Sequence, residues 1–130
     1  MPDSFKTISS LSEGIYKEKG SKFLSFAIPV KDLAEIKPRL DNYRKEYYDA
    51  RHVCYAYMLG AERNEFRAND DGEPSGTAGR PILGQINSFE LTNILVIVVR
   101  YFGGILLGTG GLITAYKEAA ADAIRQAQIV

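Results

Sequence analysis

One stretch, Asn93 to Asp122, constrains the fold more than any other part of the chain. It opens with a continuous apolar run, Ile94 to Val99, that is rich in β-branched residues. Such a run is too short for an independent helix, so it predicts a buried strand that needs cover on both faces. A glycine-dense connection follows, and after it small and apolar residues recur at helical spacing. The sequence therefore predicts strands that alternate with helices.

The connection from Gly103 to Gly111, here called the glycine loop, is a candidate anion site. Thr109 is predicted to cap a helix that starts near Gly110, because its hydroxyl can accept an N–H of the first turn. Unpaired N–H groups and the positive end of a helix dipole favour an anion such as phosphate. Neither the Walker A nor the Rossmann glycine spacing is matched. A tight turn that packs the helix against the sheet without a ligand is the alternative.

Length and composition limit the classes of protein to consider. A chain of 130 residues fits one domain that buries roughly 65% of its unfolded surface. Sixteen basic and sixteen acidic residues balance, so an anion site must be local. The single cysteine excludes an internal disulfide, and the N-terminus lacks the organisation of a signal peptide. No apolar run approaches ~18 residues, so we expect a cytoplasmic protein without a membrane partner.

The remaining elements follow from periodicity and turn residues. Strands are predicted at 13–17, 22–30, 52–59 and 65–68, with helices from Asp32 to about Tyr48 and from Thr77 through Phe89. The first two strands form a hairpin with a lysine-rich turn. Pro38 predicts a kink or a late start in the first helix. A weak edge-strand signal lies between Phe5 and Ile8.

The segment from Asn69 to Pro81, here called the acidic loop, is unusual in composition. Its carboxylates, glycines and small residues contribute little to a core, so specific polar contacts or mobility are expected. An EF-hand is excluded because Arg67 occupies the first ligand position. A magnesium site built from Asp71 and Glu73 and a turn held by an aspartate side chain are both open.

His52 and Cys54 share one face of a predicted strand, which raises the question of a nucleophile and its base. Two residues along a strand lie ~6.6 Å apart, too far for a direct hydrogen bond. Cys54 is therefore expected to be a small core residue. His52 remains a candidate ligand contact at the start of the strand.

Four segments carry a resemblance to the YigZ/IMPACT family. They are SKF at 21–23, HVCYAY at 52–57, DDGEPSGTAGRPIL at 70–83 and VVRYFGGILLGTGGLITAYKEA at 98–119. The resemblance implies an α+β two-layer sandwich similar to the second domain of ribosomal protein S5, with about four strands in a mixed sheet and helices on one face. Bacterial relatives usually carry a second, ferredoxin-like domain, so we expect 1–130 to be a single IMPACT-type domain without it.

The resemblance also implies a role in translation, since eukaryotic relatives act in translational control. Many relatives have basic residues where this chain has Leu106 and Thr114, so its glycine loop is less cationic. That difference weakens a mechanism based on phosphate contacts alone.

Two functional hypotheses and one structural alternative result. The favoured hypothesis is a non-catalytic binding domain that contacts RNA, the ribosome or a translation factor, without a cofactor or metal. The second is an enzyme that binds a nucleotide or another phosphate-bearing small molecule with magnesium. The structural alternative pairs Asp71 or Glu73 with Arg100 or Arg80, which would pin the acidic loop over the glycine loop. The predicted anion-binding residues are Arg80, Arg100, Tyr101, Gly103, Gly104, Gly108, Thr109, Gly110, Gly111 and Lys117, with Asp71, Glu73 and Thr77 in the acidic loop and His52 as a further contact.

Overall fold

The fold is known from a computed structural model that describes residues 4–130; the first three residues of the predicted domain lie outside this range. It contains five strands and three α-helices, so the α+β class is confirmed. The strands are β1 (Ser12–Glu18), β2 (Ser21–Pro29), β3 (His52–Leu59), β4 (Glu65–Asn69) and β5 (Ile94–Tyr101), and the helices are α1 (Ile36–Glu46), α2 (Gly79–Ser88) and α3 (Gly108–Gln126).

The strands form one sheet in the order β1-β2-β5-β3-β4, and every pairing between them is antiparallel. The expectation of about four strands in a mixed sheet is therefore wrong. Strand β4, which periodicity predicted at 65–68, is one of the five and pairs with β3 along the outer edge. Strand β5 lies in the centre with a strand on each edge and hydrophobic clusters on both faces, so its residues from Ile94 to Arg100 are all buried.

Helices cover both faces of the sheet, so the expectation of helices on one face only is also wrong. Helices α2 and α3 pack on the first face, where Ile82 and Tyr116 join the larger hydrophobic cluster. Helix α1 lies on the second face, where Ile36 and Leu40 pack with Phe26. The apolar residues of β2, β3 and β5 point to both sides, and each side needs a helix to exclude water. The likeness to ribosomal protein S5 stays a prediction.

Local signals place the first helix and the hairpin. The Asp32 side chain accepts the N–H of Glu35 at 3.2 Å, and a 3-10 turn at Leu33–Glu35 precedes α1, so the late start predicted from Pro38 is confirmed. Lys19 and Gly20 have φ values of 47° and 82°, as a two-residue hairpin turn requires. Within residues 4–130, no helix combines the length and hydropathy needed to cross a bilayer.

Candidate functional site

The acidic loop and the glycine loop meet at one end of the sheet, where β3 begins and β5 ends. Between them lies a cavity of about 300 Å³, here called the loop cavity. The antiparallel register causes this meeting, because His52 at the start of β3 pairs with Arg100 near the end of β5. The loop cavity is lined by Arg51, His52, Glu73, Pro74, Arg100, Phe102, Leu106, Leu107, Gly108, Thr109 and Leu112.

A buried ion pair at the cavity wall joins the two loops. Nη1 of Arg100 donates to both carboxylate oxygens of Glu73, at 3.0 and 2.8 Å, and the two residues are 5% and 7% exposed. The hydroxyl of Tyr116 donates to the same carboxylate at 2.5 Å, and Nε2 of His52 lies 3.4 Å from it. The contact anticipated by the structural alternative is thus present. It balances the charge of Arg100 inside the protein.

Arg100 still has unused hydrogen-bonding capacity. Its Nε is buried and has no hydrogen-bond partner among the described residues. The guanidinium carbon lies 5.5 Å from the ring centres of both Phe23 and Phe102, so aromatic faces flank the charge. The guanidinium carbon of Arg51, which is an exposed residue, lies 5.0 Å from the centre of the Phe102 ring. A second cation therefore borders the loop cavity without a carboxylate partner among residues 4–130.

Asp70 organises the acidic loop. Its carboxylate accepts the N–H groups of Gly76, Ala78 and Gly79 at 2.9, 3.1 and 2.8 Å. Burial favours a higher pKa for Asp70, but these N–H groups and Arg80 more than compensate and hold the pKa below its usual value. The prediction that Thr77 caps α2 is wrong, because its hydroxyl donates to the Pro74 carbonyl instead. Asp70 instead caps the first turn of α2, because its carboxylate accepts the N–H groups of Ala78 and Gly79. These residues lie 8 and 9 positions further along the chain, a separation that known capping patterns do not include.

The candidate magnesium ligands are already bonded to protein donors. The Asp71 carboxylate accepts the Val53 N–H at 2.7 Å, and Glu73 is held by Arg100 and Tyr116. Within residues 4–130, no group of three or more His, Cys, Asp or Glu side chains is arranged to hold a metal ion.

His52 and Cys54 have separate partners. Nδ1 of His52 lies 2.8 Å from the Asp71 carbonyl, to which it donates because a carbonyl only accepts. The Cys54 thiol is buried and donates toward the Asp70 carbonyl at 3.1 Å, and it lies 3.4 Å from the Tyr116 hydroxyl. Burial raises the pKa of the thiol, which keeps it protonated. The prediction that Cys54 is a core residue is confirmed.

Helix α3 starts at the loop cavity and has free N–H groups in its first turn. It begins at Gly108 with Leu107 as the preceding residue, so Thr109 lies inside the first turn and its predicted capping role is wrong. No side chain caps this turn, and no backbone acceptor within residues 4–130 meets the N–H groups of Gly108 and Thr109. The helix end is therefore an electropositive wall with unused donors.

Gly103 serves packing. Its N–H donates to the Ser21 hydroxyl at 3.1 Å, and an added Cβ would lie 2.0 Å from the carbonyl carbon of Gly20. Only glycine allows the glycine loop to approach the hairpin turn this closely. A Cβ at Gly104 or Gly110 would meet nothing within 4 Å.

Several predicted residues lie away from the loop cavity. The Tyr101 hydroxyl donates to Asp49, and its ring packs with the cluster around α1 on the second face of the sheet. Arg80 and Lys117 are exposed on α2 and α3. The predicted residues that do not line the cavity are Asp71, Thr77, Arg80, Tyr101, Gly103, Gly104, Gly110, Gly111 and Lys117.

Sequence reasoning did not predict Arg51 or the apolar lining residues, although the apolar ones lie in the segments that resemble the family. Arg51 precedes β3 and resembles a solvated charge in the sequence, and Phe102 and Leu107 read as part of an apolar stretch. Their position at the cavity depends on the pairing of β3 with β5. The only local signal for Arg51 was its place next to His52.

Residues 19–124 match the family described as the Impact N-terminal domain. The IMPACT family member YigZ of Escherichia coli K12 is 42% identical over 110 residues, which are 83% of this chain and 54% of that protein. The chain thus spans about half the length of this relative.

Two solved structures are similar to this chain. One is a crystal structure of a hypothetical protein, with a TM-score of 0.95 and 36% sequence identity. The match covers 100% of this chain and 64% of the chain of that protein. The other is the two-domain translational regulator Yih1, with a TM-score of 0.52 and 23% sequence identity. The match covers 98% of this chain and 49% of the Yih1 chain, which indicates a shared fold. The family match and the identity to YigZ establish that the chain belongs to the YigZ/IMPACT family, through its N-terminal domain.

Proposed function

We propose that this chain is a non-catalytic binding domain in the control of translation, and that it holds an anionic group of a translation-associated protein in the loop cavity. The observation that carries this proposal is the convergence of unpaired donors there. The start of α3 with its free N–H groups, Arg100 with only Nη1 of its guanidinium paired, and the unpaired Arg51 all line one cavity. Family membership and the description of Yih1 as a translational regulator support the role in translation.

The chemistry of the cavity favours binding over catalysis. The carboxylate of Glu73 accepts from Arg100 and Tyr116, which leaves it a poor general base. Burial raises the pKa values of Cys54 and Tyr116, so both groups stay protonated. A magnesium-dependent enzyme would need Asp71 and Glu73 to exchange these protein partners for metal.

The rim of the cavity favours a protein partner. Phe102, Ile105 and Leu106 are exposed apolar side chains in or beside the glycine loop, and Leu106 is 84% exposed. A group of exposed apolar side chains in one loop is typical of protein contact surfaces. RNA would instead require several cations at the cavity, and the lining residues include two arginines and no lysine.

Site-specific photocrosslinking tests the proposal. A photoreactive phenylalanine analogue replaces Leu106, and as a control it replaces Phe66, which is 58% exposed and pairs with Met58 at the other end of β3. We expect position 106 to crosslink an identified translation factor or ribosomal protein and position 66 not to do so.

Equal products from the two positions, or products without a component of translation, would refute the proposal. A crosslinked product that ribonuclease removes would assign the site to RNA. Filter binding of RNA at two salt concentrations then measures the number of phosphate contacts.

A further inference from the structure

We propose, on the basis of the proposed function, that the loop cavity binds one carboxylate on an apolar body, namely the C-terminal residue of a partner polypeptide. The ligand class follows from the charge, donors, lining and size of the cavity.

The charge of the lining residues suits a monoanion. Arg51 and Arg100 contribute two positive charges, and Glu73 removes one of them at 2.8 Å from Arg100. The start of α3 adds roughly half a charge from the helix dipole. These contributions come to roughly +1.5, so a carboxylate and a phosphate dianion would each leave about half a charge uncompensated. The carboxylate of Glu73 in the cavity wall repels the second charge of a phosphate, which favours a single carboxylate.

The geometry of the donors suits carboxylate oxygens. Arg100 lines the cavity with 5% of its surface exposed, and only Nη1 of its guanidinium nitrogens has a hydrogen-bond partner within residues 4–130. Gly108 and Thr109 add backbone N–H groups on the facing wall. A guanidinium and adjacent backbone amides are the groups that capture the terminal carboxylate of a chain.

The rest of the lining is apolar. Pro74, Phe102, Leu106, Leu107 and Leu112 surround the donors. The volume of about 300 Å³ lies at the lower end of the range of roughly 300–1,000 Å³ for ligand sites, so the cavity takes one or two terminal residues. An apolar last side chain would bury its surface against the leucines while its carboxylate meets the donors.

An NMR titration of the full chain tests this assignment. The probes are the peptide N-acetyl-Gly-Gly-Leu with a free carboxylate, the same peptide with a C-terminal amide, and inorganic phosphate. We expect the free acid to shift the amide signals of Gly108 and Thr109, and to bind at least about 10-fold more tightly than the amide because charged hydrogen bonds are the stronger ones. Phosphate should bind more weakly than the acid.

Matched variants locate the contact. Arg51→Gln should weaken binding of the free acid about 5-fold or more, in line with loss of one charged contact. Arg39→Gln removes an exposed charge on α1 and should leave binding unchanged. Equal binding of acid and amide, tighter binding of phosphate, or no shift at Gly108 and Thr109 would overturn the inference.

The two proposals fail in different ways. If Leu106 crosslinks a translation protein but the free acid does not bind, the domain has its partner and only the carboxylate assignment is refuted. If the free acid binds and the crosslinks contain no component of translation, the site stands and the role in translation is refuted.

Discussion

Replacing Arg100 with methionine tests how strongly the buried ion pair holds the acidic loop over the glycine loop. The variant leaves the carboxylate of Glu73 buried and without its guanidinium partner. Removal of one member of a buried pair costs about 3–5 kcal/mol, because an uncompensated charge remains. We expect the lower end, about 3 kcal/mol, since the Tyr116 hydroxyl and His52 still contact Glu73. For a chain of this length the melting temperature should fall by roughly 12 °C.

The assay is urea unfolding of a double-mutant cycle with Glu73→Gln. The double variant should lose less stability than the sum of the single variants, with a coupling of about 2 kcal/mol. Lys37→Met is the matched control, because Lys37 and Asp41 form a pair at the same 2.8 Å distance, with side chains that are 83% and 54% exposed. That variant should lose less than about 0.5 kcal/mol. A loss below about 1 kcal/mol for Arg100→Met, or a coupling near zero, would refute the reasoning.

Two further predictions concern the loops themselves. Asp70→Asn should reduce the acid sensitivity of the fold, because the pKa of Asp70 is lowered in the folded state. The stabilisation that Asp70 contributes is complete above about pH 4 and is lost as the pH falls through that lowered pKa. Urea midpoints measured from pH 6 to pH 2.5 should therefore fall less in the variant, and parallel curves would contradict the capping role. Gly103→Ala should destabilise the protein by about 1–3 kcal/mol through its clash with the Gly20 backbone, whereas Gly110→Ala, which meets no neighbour, should be neutral or stabilising by up to about 1 kcal/mol. Thermal unfolding measures both variants, and an equal loss of stability would contradict the steric role assigned to Gly103.

The sequence by itself determined the elements, because their signals are local. The apolar run Ile94 to Val99 lies within the observed β5, and the predicted strand 52–59 coincides with β3. The first helical segment was predicted to begin at Asp32, and the Asp32 side chain caps its first turn, since a cap acts within one turn. The motif-bearing segments also identified the family, which residues 19–124 confirm.

The tertiary structure decided which of these residues meet. The β3–β5 register places Arg51 and His52 beside Arg100, and no local pattern encodes that register. Long-range hydrogen bonds also made Asp70, and not Thr77, the residue that caps α2. They paired Arg100 with the carboxylate of Glu73. The resemblance suggested helices on one face, but apolar residues on both faces of the sheet required α1 on the second. Local propensity acts over a few residues, whereas the charge balance of a cavity depends on groups that only the folded chain brings together.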